Sequence, residues 1–192
     1  MSRLDLVVGP NGAGKTTFAR RVLLPALPTS AFVNADEIAS ERWPDDPMAH
    51  AYDAAEIAER TRTLLIDLGE PFIAETVFSH PSKLDLVRRA REAGYHVALH
   101  VLLVPEELSV TRVRYRVAAG GHDVPVEKIR GRFARLWSIV VQGIEQSDTA
   151  DVWDNAAHDG PKMVAQFSDG VLVGSPGWPA WTPEDLSRRW PG

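Results

Sequence analysis

The sequence predicts a three-layer α/β/α fold with a mainly parallel sheet, a helical lid and a C-terminal hairpin. Three observations carry this expectation. Residues 4–17 run from an apolar stretch (Leu4, Leu6, Val7, Val8) through Gly9, Gly12 and Gly14 into a segment able to continue as a helix, the strand–loop–helix order of a phosphate cradle. Apolar runs then alternate with amphipathic stretches through the first 155 residues, as right-handed βαβ crossovers require. The polar residues Asp36, Glu75 and Thr76 follow the ends of apolar runs, at the sheet edge where open α/β folds bind ligands.

Taken in order, the first strand (4–8) feeds a helix over 17–24 that Pro25 to Pro28 should end, since proline cannot continue the ladder. A short strand at 31–34 leads to Asp36, and the turn-rich stretch 43–47 reads as a loop. Residues 49–68 form an amphipathic helix with Ala54, Ile57, Ala58, Thr61, Leu64, Leu65 and Leu68 on one stripe, closed by Gly69. A third strand, 72–74, ends on Glu75 and Thr76. Pro81 opens the next helix, which turns Leu84, Val87 and Ala90 inward and stops at Gly94. Residues 96–104 make the most apolar strand, expected to be central, and Pro105 terminates it. A helix over about 106–117, a turn at 118–123 and a helix opened by Pro125 follow, the last with Ile129, Phe133, Leu136, Val140 and Ile144 at helical spacing. Residues 151–155 suit a fifth strand, and Asp169-Gly170 between two apolar runs signals a hairpin. The tail from Gly174 reads as an extended strap. One domain over 1–192 is expected, with a lid at about 106–147 and the strap at 174–192.

Gly9, Pro10, Asn11, Gly12, Ala13, Gly14, Lys15, Thr16 and Thr17 satisfy G-x-x-x-x-G-K-[ST], the P-loop or Walker A motif. Its glycines permit positive φ, so the backbone N–H groups can turn toward phosphate oxygens at a helix N-terminus. Lys15 would reach the β- and γ-phosphates of ATP, and Thr16 would ligate Mg²⁺. Asp36 has two readings from local sequence: an N-cap for the helix that follows it, or the carboxylate that takes a proton from an acceptor hydroxyl. Glu75 either holds Mg²⁺ through water, grips a substrate hydroxyl, or is a solvated strand end. No apolar run ending in Asp stands where a Walker B strand would be.

Seven of the 21 basic residues (Arg112, Arg114, Arg116, Lys128, Arg130, Arg132 and Arg135) fall within 24 positions, opposed there only by Asp123 and Glu127. They flank Gly120-Gly121 between two helices, the layout of a lid that closes arginines onto phosphates. His122 sits in the same turn, as a phosphate or substrate contact or as a turn residue. The other histidines lack metal-ligand spacing, and the six tryptophans lack the basic interleaving of a stacking platform and are expected to pack.

Composition excludes several classes. A net charge of −5 disfavours general nucleic-acid binding. The absence of cysteine excludes disulfides and suits a reducing cytoplasm. The longest apolar stretch is too short to span a bilayer, and no signal segment precedes the first strand, so a cytoplasmic location is expected.

Together, residues 9–17, Asn34-Ala35-Asp36, Glu75-Thr76 and the stretch from Arg112 through Arg116 to Gly120-Gly121-His122-x-Val124-Pro125 resemble the zeta-toxin family of P-loop kinases, in its short ATPase-like branch. The similarity spans roughly residues 3–155. It implies ATP- and Mg²⁺-dependent phosphorylation of a hydroxyl on UDP-N-acetylglucosamine or a related sugar nucleotide, and a small antitoxin protein as partner. It also implies that Lys15 binds phosphate and Asp36 is the general base. Arg116 and Arg132 would clamp the γ-phosphate, and Glu75, Thr76, Arg112 and His122 would contact substrate. Other readings are a kinase of another small molecule or of a nucleic-acid end, and a nucleotide-dependent switch ATPase.

Overall fold

The computed structural model describes residues 2–119 and 124–192. Among the described residues, seven strands form one sheet in the order β2-β3-β1-β4-β5-β6-β7. They are β1 (Arg3–Val8), β2 (Ala31–Val33), β3 (Phe72–Thr76), β4 (His96–Leu103), β5 (Thr149–Asp154), β6 (Lys162–Ser168) and β7 (Val171–Leu172). The first five in the chain pair in parallel. The hairpin β6–β7 adds antiparallel at the β5 edge, so the sheet is mixed and mainly parallel, as the sequence predicts. β4 is central.

Side-chain parity explains why the sheet is covered on both faces. Leu4, Leu6 and Val8 of β1 join Val97, Leu99, Val101 and Leu103 of β4 in the larger core, while the alternate residues Val7 and Leu102 enter a second cluster with Phe18, Ala19 and Leu23. The larger core is closed by α5 (Leu84–Glu92) and α7 (Val126–Gln146). The smaller is closed by the segment α1 (Lys15–Phe18), a π-helical turn Ala19–Leu23 and α2 (Leu24–Ala26).

That segment ends within the stretch Pro25 to Pro28, as the sequence predicts, after a turn of unusual width. Across the π turn the Leu24 N–H bonds the Ala19 carbonyl, five residues back. The widened turn brings the chain to Pro25 out of the α register, where its missing N–H would have interrupted the ladder, and the helix ends at Ala26.

α3 (Ala35–Arg42) and α4 (Ala51–Leu68) pack on each other between β2 and β3. The stripe predicted for α4 is rotated: Leu64 and Leu68 are exposed, while Ala54, Ala58 and Arg62 are buried. α6 (Glu106–Ala118) and the start of α7 enclose a small separate cluster of Val110, Val113, Val124 and Ile129. These helices bracket the predicted lid turn, whose residues Gly120, Gly121, His122 and Asp123 lie outside the described residues.

The tail is not wholly extended. α8 (Glu184–Arg189) seats Leu186 and Trp190 in the core, with Trp190 tilted against Phe167 at 4.6 Å between ring centroids. The tryptophans pack as expected: Trp137 and Trp190 are buried, and Trp178 and Trp181 lie against the core. No helix among the described residues is long and apolar enough to cross a membrane.

Candidate active site

The strand order reverses about β1, and the crevice at such a point is where this architecture binds ligands. Register brings the candidate residues to one level. Val7 pairs with Glu75, Val8 with Thr76, and Val33 with Ala74. Asn34, one residue past β2, therefore stands beside Glu75, and Gly9, one past β1, lies just beyond Thr76.

The loop 9–14 turns as its glycines predict, with φ of 150° at Gly9, 70° at Gly12 and 86° at Gly14. Space is as decisive as torsion here. A Cβ at Gly9 would meet the Leu102 carbonyl at 2.6 Å, and one at Gly12 the Ser109 carbonyl at 2.7 Å. The loop is tied from outside too: Ser109 Oγ donates to the Asn11 carbonyl at 2.5 Å, and Asn155 Nδ2 to the Ala13 carbonyl at 2.7 Å. Asn155, just past β5, was not singled out by its sequence context, since a lone Asn after a strand gives no spacing signal.

Lys15 is buried, and its Nζ donates to the carbonyls of Gly9 (3.1 Å) and Pro10 (2.9 Å). Burial lowers the Lys15 pKa. The negative charges of Glu75 and Asp36 oppose that fall, and Arg116 and Arg132 add to it. All four of these predicted residues thus act on the Lys15 ammonium, although Arg132, unlike Asp36, Glu75 and Arg116, is not among the residues that line the cleft.

Asn34 settles the role of its neighbours in the fold. It is the N-cap of α3, and its Oδ1 accepts the backbone N–H of Asp36 at 2.8 Å. The capping role considered for Asp36 belongs to Asn34, and the Asp36 carboxylate stands in the first turn, exposed to the cleft. Glu75 is more enclosed. Burial raises its pKa, against the pull of Lys15 and the Thr16 hydroxyl, and its Oε2 has no hydrogen-bond partner among the described residues.

These groups line a cleft of about 780 Å³ with Asn11, Gly12, Gly14, Lys15, Thr16 and Thr17 on one wall, and Asn34, Asp36, Glu75 and Thr76 on the floor. Arg112 and Arg116 reach it from α6. Arg112 is already engaged: its two terminal nitrogens donate to the carbonyls of Asn155 (2.9 Å) and Ala156 (3.1 Å), tying α6 to the end of β5. Arg130 points elsewhere, paired with Glu106 and Glu107. Arg114 and Arg135 are exposed and are not among the residues that line the cleft. His122 lies outside the described residues. The sequence did not reveal Glu59, Arg62 and Lys83, which also line the cleft. Arg62 sits on α4 between apolar positions, and its spacing gives no sign that it faces inward.

No group of three or more His, Cys, Asp or Glu side chains among the described residues could hold a metal alone. A Mg²⁺ ion here fits Thr16 with phosphate oxygens and water, and the adjacent unpartnered Glu75 oxygen suits the outer side of such an ion.

No curated protein matches the sequence. Among solved structures, the chain is similar to that of the AvrRxo1-ORF1:-ORF2 complex with ATP, at a TM-score of 0.70 and 19% identity, covering 90% of this chain and 60% of that one. It is also similar to a structure of the PezAT chromosomal toxin–antitoxin system of Streptococcus pneumoniae (TM-score 0.66, 18% identity, 86% of this chain and 72% of that one). A third likeness is to the Pnkp1/Rnl/Hen1 RNA repair complex (TM-score 0.61, 23% identity, 73% and 45%). The chain therefore spans about 60% of the length of the first of these. At such identities the likenesses establish the fold, an α/β P-loop kinase-like one. The family model described as an AAA domain matches residues 4–136, which with the cradle just described places the chain in that family, to which it belongs.

Proposed function

We propose that this protein is an ATP-dependent kinase of a small hydroxyl-bearing metabolite, zeta-toxin-like, with UDP-N-acetylglucosamine or a related sugar nucleotide as the leading acceptor. One observation carries the reading: the Asp36 carboxylate, freed from capping by Asn34, shares a single cleft with Lys15 and the P-loop. A switch ATPase has no use for a second carboxylate-lined floor beside its phosphates; a phosphoryl transferase needs a place for the acceptor.

In this reading the backbone N–H groups of 11–16 and Lys15 hold the β- and γ-phosphates. Arg116 and Arg132 offset the charge that builds on the transferring group. Thr16 would hold Mg²⁺, which supplies further charge neutralisation when bound. Glu75 and Thr76 orient the acceptor, and Asp36 takes its hydroxyl proton as the oxygen attacks the γ-phosphorus and the bond to the β–γ bridging oxygen breaks, so that ADP leaves with that oxygen. Phosphoryl transfer asks for placement more than for covalent chemistry. Two similar structures, an ATP-bound complex and a toxin–antitoxin system, support the nucleotide and an antitoxin partner. A cytoplasmic location follows from the same reading, since ATP and nucleotide sugars are found there.

The test is to incubate the protein with γ-labelled ATP and a mixture of hydroxyl metabolites, then identify labelled products by mass. A phosphorylated small molecule is the expected outcome. Inorganic phosphate alone would favour the switch ATPase, and label on a nucleic-acid end would reassign the acceptor.

A further inference from the structure

The P-loop is held from outside the cleft, and the two places where it is held follow a pattern. Ser109 Oγ, on α6, donates to the Asn11 carbonyl at 2.5 Å, and Asn155 Nδ2, just past β5, donates to the Ala13 carbonyl at 2.7 Å. Each carbonyl belongs to a peptide plane whose other end is a glycine N–H: Gly12 in the first case, Gly14 in the second. No peptide bond among the described residues is cis, and in a trans plane the C=O and the N–H point opposite ways. A carbonyl drawn back toward α6 or the end of β5 therefore turns the glycine N–H forward. Gly12 and Gly14 both line the cleft, and neither N–H makes a hydrogen bond among the described residues. Two donors are left open on the side where phosphate oxygens would lie.

Both braces are themselves fixed. Ser109 is fully buried. Asn155 is tied along its backbone: its N–H donates to the Leu103 carbonyl at 2.9 Å, and its carbonyl accepts from Arg112 Nη1 at 2.9 Å. Arg112 Nη2 takes the next carbonyl, that of Ala156, at 3.1 Å. Glycine admits the braces as well as the turn. A Cβ at Gly14 would lie 2.7 Å from Asn155 Nδ2, and one at Gly12 2.7 Å from the Ser109 carbonyl. Glycine backbone resists rotation little, so without these donors the two planes would have to be ordered by the ligand, at a cost in affinity.

We propose that Ser109 and Asn155 are positioning residues of the nucleotide cradle, each setting one peptide plane so that the Gly12 and Gly14 N–H groups face phosphate before any ligand arrives. Neither side chain touches the ligand. Ser109 acts through Gly12 and Asn155 through Gly14, with Arg112 holding Asn155 in place. This rests on the phosphate-binding reading of the P-loop and not on the acceptor, so it serves a kinase and a switch ATPase alike.

The test follows the two glycine amides directly. Protein labelled with ¹⁵N is titrated with inorganic tripolyphosphate as wild type, Ser109→Ala and Asn155→Ala, and the amide signals of Gly12 and Gly14 are recorded by NMR. In wild type both amide protons are expected to move downfield as they donate to phosphate oxygens. Ser109→Ala should diminish the Gly12 shift and spare that of Gly14, and Asn155→Ala should do the reverse. Affinity should fall about three- to tenfold in each. A purely structural role has no such selectivity. Variants with wild-type shifts and affinity, or variants that lose both shifts together, overturn the proposal. Ser109→Ala, which removes one oxygen atom, decides the case alone should Asn155→Ala not fold. A wild type that binds no tripolyphosphate would overturn the phosphate-binding reading itself, and the proposal with it; the proposal alone falls when wild type binds and the variants match it.

Discussion

Asp5, buried, and Glu75, half-buried, show how two carboxylates in one sheet answer opposite demands. Burial alone would raise the Asp5 carboxyl, but Arg3 and His100 hydrogen-bond to it and hold it below its ordinary value. It therefore supports the fold above that value, and the support is lost as pH falls through its lowered pKa. Glu75 has only partial relief. Its pKa stands above the ordinary 4.5, so the folded protein holds that proton more tightly than the unfolded chain does. Stability on this account declines as pH rises from about 4.5 through the raised value, where the ionised form is disfavoured. Glu75→Gln should remove that decline and unfold at higher urea than wild type at pH 7, while lowering turnover. Urea midpoints of both proteins from pH 4 to pH 8 check it; identical profiles would mean Glu75 is not strained by its setting. Such a residue, costly to the fold and placed in a cleft, is what a functional carboxylate looks like.

At the scale of elements, the loop from β3 to α5 holds Glu75 and Thr76 in place, and Phe78 anchors it. Phe78 is fully buried at a φ of 60°, a region bulky side chains seldom occupy. Gly143 makes room for it: a Cβ there would lie 2.8 Å from Phe78 Cε1 and 3.3 Å from Leu99 Cδ2. Gly143→Ala gains about 1 kcal/mol of helix propensity but overpacks this contact at about 1–3 kcal/mol. A net loss of up to about 2 kcal/mol is expected, together with a fall in transfer as the loop shifts, read from urea midpoints and kcat. Much at this scale was legible: the P-loop, the strand ends and Pro81 announce themselves by spacing. The cap was not, because Asn34 and Asp36 are both good capping residues and only the backbone decides between them. Nor was the inward face of α4, where the apolar stripe pointed to Leu64 and Leu68 and the fold buried Arg62 instead. Hydrophobic periodicity has no way to mark a cation that faces a charged cleft. The short helix in the tail escaped notice for a related reason, since only Leu186 and Trp190 of that stretch are buried.

For the whole molecule, the ligand edge of the sheet is assembled from segments far apart in sequence. The P-loop is bonded to Asn155, and Arg112 to the carbonyls at 155 and 156. Nucleotide binding should therefore stabilise the entire fold and not the cradle alone. An ATP analogue at one hundred times its dissociation constant is expected to add about 2.7 kcal/mol, seen as a concentration-dependent rise in Tm. Lys15→Ala should abolish the rise, and a variant that kept it would refute the phosphate-binding role of this lysine.

The central claim is that the Asp36 carboxylate takes a proton from an acceptor hydroxyl held opposite the cradle. Single-turnover transfer from γ-labelled ATP by Asp36→Asn, with analogue affinity measured on the same protein, tests it most directly. The account predicts unchanged nucleotide affinity and transfer slowed by about 10²–10⁴. Transfer at the wild-type rate would contradict it.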